Sequence, residues 1–172
     1  MIFRLSAKSR PSAGRTLCDA AVLQSREPAL YARLGAPDTI EGRFELLTLH
    51  VILLIEALRA QGEAAAPTSQ ALFDAYIADL DGALREMGVG DLSVGKRMRE
   101  LGKAFYGRAA AYRQAFESLP DRADLEGLIA RTIFAGRQDS GPAALADYVV
   151  RCHEALRAVP DLLVAAPAWA AP

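Results

Sequence analysis

The sequence has 172 residues, which is enough for one domain with a buried core. Hydrophobic residues make up 52% and charged residues 24%, and the formal net charge of -1 excludes a general attraction to nucleic acid or anionic lipid. The two cysteines and two histidines form no C-x-x-C pair or other zinc-ligand spacing, so we expect neither a metal centre nor another cofactor.

The first 15 residues are basic and contain no acidic residue. They lack the long apolar segment of a secretory signal, and we predict a short basic arm at residues 1–15 that rests on an anionic membrane surface. A mitochondrial transit peptide is the alternative interpretation, because such peptides are also basic and contain serine. A helical pattern that begins almost at once favours the arm.

The first helix is predicted over residues 16–34, where apolar residues recur at helical spacing. Pro28 lies inside this pattern and is expected to break or kink the helix, because proline lacks the amide proton that a helix interior needs. Gly35 and Pro37 then predict a turn.

The segment DTIE at residues 38–41 predicts the start of the second helix. It is typical of a capping box, in which Asp38 accepts hydrogen bonds from amides of the first turn and Glu41 reaches back. The predicted start therefore places Asp38 at the cap position.

The second helix is almost continuously apolar from residue 46 to residue 55. A helix that is apolar all round is buried in a bundle or in lipid. Glu45 and Glu56 bracket only ten positions, whereas a membrane span needs about 20, so we predict the central helix of a bundle. His50 lies inside this apolar segment and is predicted to be a buried histidine that bonds to a polar neighbour.

A third helix is predicted over residues 68–87, and a fourth from the following Gly-rich segment to Pro120. The third helix has a clearly acidic side, with a single cation, Arg85, among Asp74, Asp79, Asp81 and Glu86. The fourth helix begins with a basic cluster formed by Lys96, Arg97, Arg99 and Lys103. Such charges usually mark a solvated helix face, and a binding face is the alternative for both helices.

The remaining sequence predicts a fifth helix after Asp121 and a sixth that opens at Ser140 and Pro142. The Ala/Pro-rich tail at residues 161–172 either stays loose or docks through Leu162, Leu163 and Trp169. No stretch alternates with a period of two for long enough to predict a strand. We therefore predict an all-α fold, a single-domain bundle of about six helices over residues 16–160.

The stretch GDLSVGKR at residues 90–97 differs from a P-loop at Arg97, which replaces the serine or threonine that ligates magnesium. A P-loop also follows a buried strand, whereas the preceding residues are typical of a helix. Gly88 instead suits a left-handed helix C-cap, and Asp91 or Ser93 is predicted to cap the next helix. We predict no nucleotide binding and no catalysis, and a phosphate-binding enzyme that uses this stretch is the most distant alternative.

Three ordered segments resemble the signatures of the ubiquinol–cytochrome c chaperone family. The first contains Asp38, Thr39, Gly42, Arg43, Phe44, Glu45 and His50. The second contains Gly88, Gly90 and Asp91 within LREMGVGD, followed by Val94 and Lys96. The third contains Phe105, Tyr106, Gly107, Arg108 and Tyr112. The resemblance covers about residues 27–112.

This resemblance implies a non-enzymatic assembly factor. Members of the family help to build ubiquinol–cytochrome c reductase (complex III) by binding newly synthesised cytochrome b, and mitochondrial members work with a small partner protein at the ribosome. It also implies peripheral contact with the cytoplasmic face of a bacterial inner membrane, with the mitochondrial matrix as the alternative location. The alternative function is a helical peripheral membrane or regulatory interaction module with no respiratory role.

The resemblance also implies roles for charged and aromatic residues. An acidic face would receive Lys and Arg of client loops, and an apolar groove lined by residues such as Phe105, Tyr106 and Tyr112 would shelter a client segment. The candidate client-binding residues are Asp74, Asp81, Arg85, Glu86, Lys96, Arg97, Phe105, Tyr106, Arg108 and Tyr112. The basic cluster could instead face lipid headgroups or ribosomal RNA.

Some of the matching residues have an equally good structural interpretation. Gly42 and Gly107 are expected to allow close approach between helices. The charged motif residues are expected to form internal ion pairs, which buried charges need. They are Arg43, Glu45, Arg85 and Arg108.

Overall fold

The computed structural model describes residues 12–136 and 141–172, which form seven α-helices and no strand. The helices are α1 (Ala13–Ser25), α2 (Pro28–Ala32), α3 (Ile40–Ala60), α4 (Ala66–Glu86), α5 (Asp91–Glu117), α6 (Ala123–Thr132) and α7 (Gly141–Arg157). The predicted all-α fold is confirmed. There are seven helices instead of six because Pro28 begins a separate helix at its first position, where the missing amide proton costs nothing.

Two of the predicted segments fall largely or partly outside the described ranges. Residues 1–11 of the predicted basic arm lie outside them, and α1 already begins at Ala13, before the predicted start at residue 16. Ser140, predicted to open the last helix, also lies outside them, and the described part of that helix begins at Gly141.

Helix α3 is the central helix, as predicted, and packs against α1, α4, α5 and α7. Nearly every residue from Leu46 to Leu58 is buried, so the helix has no solvated face over this length. Each fully buried Leu or Ile contributes about 2 kcal/mol relative to an exposed one. Within the described ranges, no helix has both the length and the apolar content that crossing a membrane requires.

The start of α3 differs from the prediction in its cap. Thr39, and not Asp38, is the N-cap residue, and its hydroxyl accepts a hydrogen bond from the Gly42 amide at 3.0 Å. Asp38 instead accepts a hydrogen bond from Nε of Arg43 at 2.5 Å. A Cβ on Gly42 would lie 2.1 Å from the Pro37 carbonyl oxygen. Glycine here therefore admits the preceding loop, and not a second helix.

Helix α4 ends in the left-handed glycine that the sequence predicted. Gly88 has a φ of 81°, which glycine adopts without steric cost. The amides of Gly88 and Val89 donate to the carbonyls of Arg85 and Leu84, both at 3.0 Å. This is the Schellman arrangement, which satisfies the last carbonyl groups of the helix.

Helix α5 begins differently from the prediction. Gly90 is its N-cap residue, and no side chain caps the helix, so the predicted cap at Asp91 or Ser93 is wrong. The helix starts one residue earlier than a capping Asp91 would allow, which places Asp91 in the first turn. There its carboxylate pairs with Arg85 and so links the two helices of the hairpin.

Helix α1 packs closely on α4 at Gly14. A Cβ on Gly14 would lie 2.5 Å from the Leu72 amide nitrogen, so only glycine permits this spacing. Beside it, Arg15 donates two hydrogen bonds to the Asp79 carboxylate, each at 2.7 Å. The Cys18 thiol also lies 3.7 Å from this carboxylate, and burial raises the pKa of Cys18 to about 12, so it is protonated at neutral pH.

The tail beyond α7 docks onto the bundle, which was one of the two predicted alternatives. Leu162 is buried, and its amide donates to Oε1 of Gln61 at 3.2 Å. Nε2 of the same glutamine donates to the Val159 carbonyl at 3.1 Å. Further along, the Trp169 ring meets the His50 ring edge-on with centroids 5.2 Å apart. The tail therefore covers part of the central helix.

Candidate functional site

An open apolar groove lies between the end of α3, the start of α4 and the middle of α5. Its volume is about 500 Å³. The lining residues are Ile55, Leu58, Arg59, Gly62, Glu63, Ala65, Ala66, Ser69, Gln70, Phe73, Phe105, Tyr106, Ala109 and Arg113. We refer to this surface as the apolar groove. Two of the aromatic residues predicted to line such a groove, Phe105 and Tyr106, do line it.

Three aromatic rings form one wall of the apolar groove. The centroid of Phe73 lies 4.9 Å from that of Phe105 and 5.5 Å from that of Tyr106. Phe105 is buried at 3% exposure, whereas Tyr106 is 64% exposed. Such an exposed ring resting on a buried aromatic floor offers apolar contact area without requiring the core to rearrange.

Tyr112, the third predicted groove aromatic, does not line it. Its side chain is 2% exposed, its hydroxyl bonds to Thr132, and burial raises its pKa. It lies on the buried side of α5, so the expectation of a groove position for Tyr112 is wrong. Helical spacing placed Tyr112 near Phe105, but the spacing alone could not show where the groove ends.

One end of the apolar groove is formed by a buried carboxylate and its two cations. Glu56 is 7% exposed and accepts hydrogen bonds from Nη2 of Arg113 at 2.8 Å and from Nη1 of Arg59 at 3.3 Å. Both arginines also line a second cleft of about 600 Å³ beside His153, whose lining is part polar and part apolar. The two arginines of this ion-pair cluster therefore border both surfaces.

A second buried ion pair joins α3 to α5 nearer the start of α3. Both carboxylate oxygens of Glu45 accept from Arg108, with 2.5 Å between Oε2 and Nε. Arg108 thus forms the internal ion pair that was the structural alternative to client binding. Arg43 also forms an ion pair, but with the exposed Asp38 of the preceding turn, and so does not link two helices.

The predicted acidic face of α4 is half neutralised within the molecule. Asp81 pairs with Arg85 at 2.6 Å between Oδ2 and Nε, and Asp79 pairs with α1. Asp74 and Glu86 are exposed and have no cationic partner among the described residues. Asp74 accepts a hydrogen bond from Gln70, which lines the apolar groove, so its carboxylate lies at the groove rim.

The basic cluster of α5 differs from the acidic face of α4 in this respect. All four cations are exposed, and none forms an ion pair within the described part of the chain. They are Lys96, Arg97, Arg99 and Lys103. Their charges are therefore available to a partner.

A cavity of about 550 Å³ lies at the tip of the α4–α5 hairpin, where the P-loop-like sequence is located. Its lining includes Ser93, Lys96 and Arg97, but also the carboxylate-bearing Glu100. The segment before it is helix α4, whereas a P-loop follows a strand. The arrangement lacks the strand and the magnesium-binding hydroxyl of a nucleotide site.

His50 belongs to a buried hydrogen-bonded chain, as the sequence predicted. Its Nδ1 lies 2.7 Å from the Leu46 carbonyl, which can only accept, so Nδ1 carries the proton. Nε2 therefore accepts from the Tyr148 hydroxyl at 2.8 Å, and that hydroxyl accepts from Gln24. The described residues hold no group of three or more Cys, His, Asp or Glu side chains placed to bind a metal.

Burial of His50 predicts a loss of stability in mild acid. Burial lowers its pKa from 6.5 to about 4, so between these values the unfolded chain binds a proton that the folded chain does not. The contribution of the neutral His50 to the free energy of unfolding is therefore complete above pH 6.5. This contribution falls as the pH drops toward 4. We expect urea unfolding to show a loss of about 2 kcal/mol between pH 7 and pH 5 from this residue.

The matched variant for this prediction is His50→Gln. It removes the titrating group, so its free energy of unfolding should change less between the two pH values, even if it is lower at both. The second histidine, His153, has its pKa lowered mainly by burial and is present in both proteins, so its effect cancels. Equal pH dependence in the two proteins would contradict the assignment to His50.

The ion-pair cluster at Glu56 was not anticipated from the sequence. Glu45 and Glu56 are eleven residues apart, about three helical turns, and therefore share one face of α3. That spacing within an apolar helix was a usable signal, because two carboxylates on one buried face require cations on the neighbouring helix. The neighbour supplies them at Arg108 and Arg113.

These features define an all-α protein with an open apolar groove and a separate surface of unpaired cations. The chain belongs to the ubiquinol-cytochrome C chaperone family, whose model matches residues 32–169. The family implies a role in complex III assembly and a client protein. The family is described as one of chaperones.

The fold is also similar to a solved structure, the crystal structure of the Cbp3 homolog from Brucella abortus. The two chains are 33% identical and superpose with a TM-score of 0.77, over 87% of this chain and 82% of the other. No curated protein matches the chain. The resemblance inferred from the three sequence segments is confirmed.

Proposed function

We propose that this protein binds newly synthesised cytochrome b during assembly of ubiquinol–cytochrome c reductase, and that the apolar groove holds an apolar helical segment of that client. The observation that carries the proposal is the exposed Tyr106 above an aromatic floor formed by the buried Phe105 and the half-buried Phe73. An apolar or amphipathic helix binds by laying its side chains into such a groove. Family membership supports the choice of client.

The charges at the rim of the apolar groove suit the same client. Asp74 and Glu63 place carboxylates beside the groove, and membrane proteins carry Lys and Arg next to their apolar spans on the cytoplasmic side. Asp81 and Arg85 neutralise each other and so contribute less to this contact. Because cytochrome b is a membrane protein, the proposal includes peripheral contact with the cytoplasmic face of the inner membrane.

The proposal predicts that Tyr106→Glu reduces capture of cytochrome b by at least about tenfold, since a charge in a desolvated apolar contact costs more than about 1.4 kcal/mol. The substitution lies on the surface, so the free energy of unfolding should change by less than about 0.5 kcal/mol. The measurement is capture of cytochrome b by the tagged protein from detergent-solubilised membranes, with the yield of complex III assayed in the same cells.

The matched control is Leu23→Glu. Leu23 is 73% exposed on α1 and does not line the apolar groove, so this variant introduces the same charge elsewhere. Normal capture by Tyr106→Glu would rule out the groove as the client site. No capture by the unmodified protein, together with normal complex III after deletion of its gene, would reject the client and favour a membrane or regulatory module.

A further inference from the structure

The cations of α5 differ from most other arginines of the molecule. Seven of the twelve other arginines among the described residues are held by carboxylates, namely Arg15, Arg43, Arg59, Arg85, Arg108, Arg113 and Arg122. The four cations between residues 96 and 103 have no such partner there. A cluster of like charges that the fold leaves unpaired is costly unless a partner of opposite charge meets it.

Three of these cations share one face of α5 with an exposed aromatic ring. Lys96, Arg99 and Lys103 follow one another at steps of three and four, and Tyr106 comes three residues later. At 3.6 residues per turn, the four positions fall within an arc of about 80° and span about 15 Å. The opposite side of the helix carries the buried Phe105.

This face is exposed at all four positions. Gly95 and Gly102 lie beside it, and a Cβ at either would meet nothing within 4 Å. A helix face with a short line of cations and an aromatic end suits the surface of a bilayer, whereas a nucleic acid strand is normally tracked by a groove. Arg97 and the cavity at the hairpin tip, about 550 Å³ in volume, lie at the edge of this face.

We propose that the outer face of α5, formed by Lys96, Arg99, Lys103 and Tyr106, docks on the anionic phospholipid surface of a bilayer. Phosphate headgroups supply the opposite charge, and the tyrosine ring suits the boundary between headgroups and acyl chains. Tyr106 also lines the apolar groove, so docking would bring the groove to the bilayer surface. This last consequence rests on the proposed function, and the lipid contact itself does not.

The test is co-sedimentation of the full chain with vesicles. We expect binding to phosphatidylcholine vesicles that contain phosphatidylglycerol, little binding to phosphatidylcholine alone, and release at high salt. In the triple variant K96Q/R99Q/K103Q, vesicle affinity should fall roughly 100-fold, since each cation near an anionic surface contributes about a fivefold factor. These side chains are exposed, so thermal unfolding should be unchanged.

The control is the triple variant R26Q/R33Q/R131Q, which removes the same charge from other exposed positions. Both variants keep residues 1–15, so any contribution of the basic arm cancels. Vesicle binding that is equal in the two variants would overturn the proposal, and so would binding of the unmodified protein to phosphatidylcholine alone. Preference for RNA over anionic vesicles in a competition experiment would also overturn it.

Vesicle binding and client capture can be lost independently, so the two proposals are tested separately. Capture of cytochrome b in detergent solution does not need the bilayer. None of Lys96, Arg99 and Lys103 lines the apolar groove, so K96Q/R99Q/K103Q should retain client capture while losing vesicle binding, although Lys96 was a candidate client-binding residue. Tyr106→Glu should lose client capture even where no vesicle is present. Vesicle binding without client capture by the unmodified protein would reject the proposed function and leave the lipid surface standing.

Discussion

Replacement of Glu45 by alanine is expected to lower the free energy of unfolding by about 3 kcal/mol. Glu45 is 8% exposed and holds the Arg108 guanidinium through both of its carboxylate oxygens. The substitution leaves that guanidinium, whose side chain is 25% exposed, half-buried without its counter-charge. The cost comes from the unpaired cation more than from the lost attraction, because a buried pair contributes little over two apolar groups. Urea unfolding measures it.

Two comparisons separate this explanation from a general effect of removing charge. Asp38→Ala breaks the Asp38–Arg43 pair, whose side chains are 58% and 65% exposed, and should leave the free energy of unfolding nearly unchanged. Arg108→Ala in the Glu45→Ala background should cost much less than Arg108→Ala alone, since the partner is already absent. Additive effects of the two substitutions would show that the pair does not link α3 to α5.

The helices of this fold could be predicted from the sequence because each is specified locally. The apolar segment from Leu46 to Ile55 has no solvated face to offer, so a central position for α3 follows directly from its composition. Likewise Gly88 ends α4 in the predicted left-handed conformation. Cap positions were less predictable, since Thr39 and Asp38 both can cap a helix and only the path of the preceding loop decides between them.

Contacts between helices could not be predicted in the same way. The sequence shows that Glu45 and Arg108 are charged, but the crossing of α3 and α5 decides that they meet. The same limit applies to the apolar groove. Phe105 and Tyr106 are adjacent in the sequence and both line the groove, but the helix turn between them buries Phe105 and leaves Tyr106 exposed, whereas Tyr112 lies outside the groove.

Two glycines of the family segments, Gly42 and Gly107, illustrate this limit. Both were expected to admit a neighbouring helix, but Gly107 of α5 has open space around it, so that expectation is wrong for Gly107. Gly42 is tightly packed, against the carbonyl of Pro37. The closest helix packing through glycine instead occurs at Gly14, which matched no motif. A glycine in a sequence does not show which of these situations it occupies.

The two motif glycines are therefore expected to respond to alanine in opposite directions. Gly42→Ala should lower the free energy of unfolding by about 3 kcal/mol, because its Cβ would overlap a backbone oxygen that cannot move without shifting the start of α3. Gly107→Ala should raise it by up to about 1 kcal/mol, since alanine favours a helix interior and meets no neighbour. Urea unfolding of the two variants beside the unmodified protein measures both.

Client capture by Gly107→Ala then shows whether the client contacts the α5 backbone at this glycine or only the apolar groove. Position 107 is exposed and adjoins Tyr106 of the apolar groove, so a stabilised variant that captures less cytochrome b would indicate that the client approaches the α5 backbone there. Unchanged capture would confine the client to the groove itself. A loss of stability in Gly107→Ala would contradict the open surroundings on which the prediction depends, and a stable Gly42→Ala would contradict the packing at the start of α3.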